Sequence, residues 1–261
     1  MPVAVKIRQC RHGVFTYFAH DFYVGGALER YGEFSEEEVQ LLLSYLKAGD
    51  VVVEAGANIG CLTVPMARKV GETGRVFAYE PQRVIYHMLC ANLAINGLMN
   101  VAAERVGLAQ KAGTLFVPAV HYDAKGNFGI VELAQTGPEA VPVATMDSYN
   151  FERCELIKID VEGMELAVLQ GAGDTIERLR PVLYVENDRP EKSTELVRHL
   201  RSIGYKLFWH LPPLYNPGNF RRDPHNLYEG YVSVNMLCLP SESDLKTPLQ
   251  AVIGDGNIWN A

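Results

Sequence analysis

A chain of 261 residues, 48% apolar and 21% charged, has the balance of an ordinary globular protein and enough material for one large domain. A net charge of −7, with no basic cluster longer than a pair such as Arg221-Arg222, argues against a nucleic-acid partner, and no apolar run approaches the ~18–20 residues that span a bilayer. Cys10, Cys61, Cys90, Cys154 and Cys238 form no Cys-x-x-Cys pair, which predicts reduced thiols rather than a disulfide framework or a zinc ribbon. The opening Met1-Pro-Val-Ala-Val-Lys6 lacks a signal-peptide pattern, so the expected location is cytoplasmic.

Residues 1–34 are rich in aromatics and read as an irregular or β lead-in. Ser35 with Glu38 fits a capping box; Val39, Leu42, Leu43 and Leu46 then recur at helical spacing before Gly49. Residues 51–54 are a β-branched run, the first buried strand, and 59–70 read as a helix that Pro65 kinks or delays. The next strand is 76–80, with Pro81 at a helix's first position and 82–96 completing that helix. A third strand lies near 101–108. Strand-like pieces broken by Gly and Pro over 113–146 predict a β insertion. A fourth strand at 156–160 precedes helical sequence over 162–180, and a fifth at 182–186 precedes a helix over 191–203. Strands at 205–210 and 231–239 follow, separated by a long loop at 211–230. The alternation predicts a doubly wound α/β domain over 35–240, its parallel sheet covered on both faces, with a tail at 241–261.

In such sheets ligands bind beyond the carboxyl ends of the strands. The unusual polar residues fall there: Glu54, Glu80, Asp160, Glu186 and Asn187. The first strand runs into Glu54-Ala-Gly56-Ala-Asn58-Ile-Gly60, whose glycines let backbone pass close to a ligand. Its Gly-x-x-x-Gly spacing differs from the Gly-x-Gly-x-x-Gly that sets a dinucleotide pyrophosphate on a helix N-terminus. S-adenosylmethionine has no phosphate and needs no such cradle. A tight strand-to-helix turn would use the same glycines. Glu80, ending the second strand, can accept hydrogen bonds from both hydroxyls of a ribose, or cap the helix that follows. Turn and acid together predict an adenosine site without separating S-adenosylmethionine from NAD.

The segments Glu54-Ala-Gly-Ala-Asn-Ile-Gly60, Tyr79-Glu-Pro81, Ile157-Lys-Ile-Asp-Val-Glu-Gly-Met-Glu165 with Val168-Leu-Gln-Gly-Ala172, and Val185-Glu186 resemble the FkbM family of S-adenosylmethionine-dependent methyltransferases. Order and spacing agree from about residue 35 to 240, and Lys-Ile-Asp-Val-Glu-Gly is the most specific part. The family's first motif often begins with Asp; this chain has Glu54, one methylene longer. The resemblance implies the Rossmann-like class I methyltransferase fold, a seven-stranded and mostly parallel sheet with its last strand antiparallel. It also implies O-methylation of small-molecule hydroxyls, often on sugars or other natural products. The cofactor-binding candidates are then Glu54, Gly56, Asn58, Gly60, Glu80, Gly107 and Asp160.

A sulfonium methyl is already activated. The protein must align an acceptor oxygen and help it lose a proton, through a general base or a metal. Asp160, Glu186 and Asn187 end neighbouring strands, and three oxygen ligands suit Mg2+. This resembles the metal site of catechol-type and some sugar O-methyltransferases. Alternatively, Asp160 orients the cofactor or caps a helix, and Glu186-Asn187-Asp188 is a polar turn. Lys158 shares a strand face with Asp160 and needs a partner there: an internal salt bridge is the plain expectation, a base of depressed pKa the sharper one. His210 ends a strand and can serve as general base, so Asp160, Lys158 and His210 are the catalytic candidates. His121, His225 and the loop at 211–230, with Arg221 and Arg222, lie in segments able to cover the site. The expected partner is a small-molecule acceptor, not nucleic acid or membrane. The competing readings are an NAD(P)-dependent oxidoreductase on a similar sheet and a non-catalytic adenosine-binding module. Hydrolase and P-loop motifs do not occur.

Overall fold

The computed structural model describes residues 3–254. It opens with a hairpin of β1 (Val5–Cys10) and β2 (Gly13–Phe18), then α1 (Val24–Arg30) and α2 (Glu36–Ser44). Strands and helices then alternate: β3 (Val51–Ala55), α3 (Thr63–Val70), β4 (Arg75–Tyr79), α4 (Arg83–Ile95) and β5 (Val101–Glu104). The insertion β6 (Gly107–Leu108), β7 (Gly113–Val117) and β8 (Glu139–Ala144) pairs into a small separate sheet. The alternation resumes with β9 (Leu156–Ile159), α5 (Glu165–Gln170), α6 (Gly173–Leu179), β10 (Val182–Glu186), α7 (Pro190–Ser202) and β11 (Tyr205–His210). It closes with β12 (Asn235–Pro240) and the short β13 (Gln250–Ala251).

The main sheet runs β13-β11-β12-β10-β9-β3-β4-β5. Strands β5, β4, β3, β9 and β10 are mutually parallel, while β12 enters antiparallel between β10 and β11. This is the doubly wound order expected, with its antiparallel strand; β13 adds an eighth strand on the edge of β11. Successive side chains of each central strand enter opposite cores: Val52 and Leu156 on one face, Val53 and Ile157 on the other. Both faces are covered, which is why these strands are mostly apolar on both faces rather than alternating. Each such fully buried aliphatic contributes about 1.5–3 kcal/mol. Among the described residues, no helix is long and apolar enough to cross a membrane.

Local differences from the sequence reading, and one refinement of it at Pro65, have physical causes. The lead-in contains a helix, α1, that Gly25 and Gly26 disguised, since glycine is about 1 kcal/mol worse than alanine in a helix. Phe15, Tyr17 and Phe18 of β2 join the same core as α4, whose Asn92 accepts the Thr16 N–H at 2.7 Å. Helix α3 starts at Thr63, so Pro65 falls in the first turn, where its missing N–H costs nothing. The helical stretch at 162–180 breaks at Gly171, where a Cβ would lie 2.1 Å from the Ala109 carbonyl oxygen. Ser35 does not cap α2 through its side chain: its backbone is left-handed (φ 49) and its hydroxyl bonds the Glu38 carboxylate instead.

Candidate active site

The carboxyl ends of β3, β4, β9 and β10 open onto one cavity of about 410 Å³. Glu54, Gly56, Asn58, Glu80, Lys158, Asp160 and Glu186 come to it from the strand tips. Tyr23, Phe34 and Glu38 come from the N-terminal segment, and Tyr231 to Asn235 from the entry to β12. A narrow slot adjoins it beyond Gly56, Glu80 and Asp160, with Pro81, Gly107, Leu108, Val131, Leu133 and Met164 as its apolar side.

Gly56 sits where β3 leaves the sheet. Its φ is +81, and a Cβ there would lie 1.7 Å from the Asp160 backbone oxygen, so only glycine lets the tips of β3 and β9 meet. The N–H groups of Gly56 and Ala57 both donate to the Tyr79 oxygen at 3.0 Å, fixing this turn against β4. Asn58 follows in a left-handed conformation (φ 50), and its N–H donates to Glu80 Oε2 at 2.9 Å. The Gln82 N–H donates to Glu80 Oε1 at 2.9 Å. Each carboxylate oxygen keeps a second lone pair for a ligand hydroxyl. Burial pushes Glu80 up to about 7.

Glu54 is 1% exposed; its Oε2 accepts from the Thr63 hydroxyl at 2.6 Å, while its Oε1 is buried with no protein partner. Burial pushes this carboxyl up to about 7. A buried, unpaired acceptor at the cavity wall suits a ligand ammonium. Gly107 bounds the slot. Gly60 does not reach the cavity lining; its φ of +92 and a neighbouring Leu89 side chain make it a requirement of the turn.

Lys158 is no free base. Its Nζ donates to the Gly56 oxygen at 2.7 Å and lies 3.1 Å from Asp160 Oδ2. Burial alone would lower its pKa, but the fields of Asp160, Glu54 and Glu38 outweigh that and push it up. His210 lies outside the cavity lining, with Nδ1 2.7 Å from the Tyr184 hydroxyl, and burial lowers it to about 4. The structure sets its ring against Tyr184 rather than at the cavity, where the base was expected. His121, His225, Arg221 and Arg222 are likewise absent from the lining; of the loop at 211–230, Leu214 reaches it.

The acidic cluster also differs from expectation. Asn187 turns away from the cavity, its amide donating to Ser193 Oγ at 3.0 Å. Glu162, left-handed at φ 57, takes its place, and carboxylate oxygens of Asp160, Glu162 and Glu186 lie within 4.8 Å of one another. Glu186 Oε2 has no hydrogen-bond partner. Burial, then the neighbouring acids, push Glu186 well up, and Glu162 rises to about 8 for the same causes despite Arg189, which bonds it at 2.8 Å. Partly buried acids with an orphaned oxygen fit a hard cation.

A mostly parallel sheet with this strand order, and a cavity at its switch point, are those of the class I methyltransferase fold. Residues 54–207 match the model of the methyltransferase FkbM domain, and the chain belongs to that family. It is 30% identical over 185 residues to methyltransferase sdnD of Sordaria araneosa, covering 57% of this chain and 70% of that one. It is 26% identical over 149 residues to the hexuronic acid methyltransferase AglP of Haloferax volcanii, covering 57% of this chain and 60% of that one. The solved methyltransferase FkbM from Methylobacillus flagellatus superposes with a TM-score of 0.51 at 18% identity, over 74% of this chain and 44% of that one. An S-adenosylmethionine-dependent O-methyltransferase from Thermotoga maritima shares the fold with a TM-score of 0.50 at 15% identity, over 92% of this chain and 79% of that one. Family and fold set aside the oxidoreductase reading.

Proposed function

We propose that this methyltransferase moves the methyl group of S-adenosylmethionine to a hydroxyl of a small molecule, a sugar or a related natural product. The observation that carries this reading is a single cavity shared by two kinds of wall. One wall is the cofactor set: Glu80 for the ribose hydroxyls, the orphaned Glu54 oxygen for the ammonium, and the slot at Gly107 for the adenine. The other wall, with Tyr23, Phe34, Tyr231 and Asn235, is left for an acceptor. The lining acids give the cavity a negative field, which favours a sulfonium cation. The name of AglP, a methyltransferase of hexuronic acid, supports an acceptor of sugar type.

Asp160, Glu162 and Glu186 would hold a divalent cation such as Mg2+. A bound cation lowers the pKa of a coordinated hydroxyl. We take 35–240 as the methyltransferase domain and the lead-in at 1–34 as part of its acceptor wall, because Tyr23 and Val24 line the cavity.

The test is transfer of labelled methyl to methyl β-D-glucopyranoside, methyl β-D-glucuronide and catechol. Labelled methyl ethers are expected. A protein that binds the cofactor and labels only nitrogen or carbon acceptors contradicts the reading. Activity lost to EDTA and restored by Mg2+ supports the cation; a rate untouched by EDTA removes it and leaves hydroxyl transfer standing.

A further inference from the structure

One carboxyl on the acceptor side of the cavity has no part in the reading above. Glu38, in the first turn of α2, is 5% exposed yet lines the cavity with Tyr23, Phe34, Tyr231 and Asn235. Two donors from separate parts of the chain aim it. The Ser35 hydroxyl donates to Oε2, and Asn235 Nδ2 of β12 donates to Oε1 at 3.4 Å. The Tyr184 hydroxyl of β10 also favours its ionised form. Ser35 holds its place in a left-handed conformation, which is strained for a non-glycine residue. Asn58 and Glu162 are left-handed at the same cavity, so backbone strain gathers around it. Behind Tyr184 stands His210, whose Nδ1 is 2.7 Å from the hydroxyl.

The other cavity acids have different places. Glu54 and Glu80 belong to the cofactor tips, Asp160, Glu162 and Glu186 form the cation cluster, with Asp160 also paired to Lys158, and Asp188 is paired with Arg189. Lys158 and Asp160 from the β9 tip also act on Glu38 at longer range.

We propose that Glu38 is the catalytic base that takes the hydroxyl proton of the acceptor, with Tyr184 and His210 as positioning residues behind it. The proposal rests on hydroxyl methylation being the reaction. In the step, the acceptor O–H proton passes to a Glu38 carboxylate oxygen while a lone pair of the acceptor oxygen forms the new O–CH3 bond. The carbon–sulfur bond breaks and its electron pair stays on sulfur, turning the sulfonium into the neutral thioether of S-adenosylhomocysteine. Glu38 returns its proton to solvent when the product leaves. Burial raises this carboxyl to about 7, which leaves it ionised above neutrality and makes it a stronger base than an ordinary carboxylate.

Glu38→Gln preserves size and hydrogen-bonding contacts but cannot take a proton. Its calorimetric affinity for S-adenosylhomocysteine is expected to stay within about threefold of wild type. Methyl transfer to methyl β-D-glucopyranoside or catechol is expected to fall about 100-fold or more, the usual contribution of a general base, and Glu38→Asp is expected to recover part of it. Tyr184→Phe removes a hydroxyl that favours the ionised form of Glu38, so the acid limb of the pH–rate profile should move to higher pH. Transfer by Glu38→Gln within threefold of wild type, or an acid limb unmoved in Tyr184→Phe, overturns the proposal. Wild-type protein that binds S-adenosylhomocysteine but methylates only nitrogen or carbon instead overturns the hydroxyl reading beneath it.

Discussion

Replacing Lys158 with methionine keeps the length of the side chain and removes the ammonium on which three carboxyls converge. The lysine side chain is 4% exposed, so the pair with Asp160 is buried on one side; Asp160, at 34%, retains contact with water. Breaking a fully buried pair costs about 3–5 kcal/mol. Stranding the Gly56 carbonyl adds about 1–3 kcal/mol. Exposure of Asp160 and the better burial of methionine pull the sum down, to about 3 kcal/mol at pH 7.5. At pH 5 Glu38 and Glu54, both raised to about 7, are protonated and no longer need the lysine, so the loss should shrink to about half. Urea unfolding at the two pH values, at constant m, measures both numbers. A loss under about 1 kcal/mol at pH 7.5, or the same loss at both pH values, would refute the reasoning.

Glu80→Ala removes two oxygens that hold the Asn58 and Gln82 amides and face the cavity; affinity for S-adenosylhomocysteine should weaken more than about tenfold, and an unchanged calorimetric Kd contradicts the ribose assignment. The ligand-free protein should lose stability as pH rises from about 5 to 7.5. Glu38, Glu54 and Glu80 titrate near 7 when folded against 4.5 in the unfolded chain, so in that window the folded state holds protons the unfolded state has released. A Tm that climbs over the same interval runs against this account.

The parallel core was legible because its strands are β-branched and bounded by helices, and the Gly56 turn because glycine is the residue that a close backbone approach demands. Glu80 and Glu54 were legible as strand-end acids. What escaped depends on contacts far apart in the chain. Glu38 looks like half of a capping box until Asn235 of β12 is brought against it. Asn187 was credited because it follows a strand end, yet the chain turns there and its amide faces Ser193 of α7. Glu162 was passed over because nothing local shows that its backbone turns left-handed. His210 stands at a strand end as expected, but its ring pairs with Tyr184 and sits behind the cavity wall.

Titration with S-adenosylhomocysteine by calorimetry tests the central claim, that the tips of β3, β4 and β9 together form an adenosyl pocket. One equivalent should bind with a Kd in the micromolar range, on the order of −8 kcal/mol, and NAD should give no heat of binding. A silent titration with S-adenosylhomocysteine, or saturable binding of NAD in its place, would contradict the account.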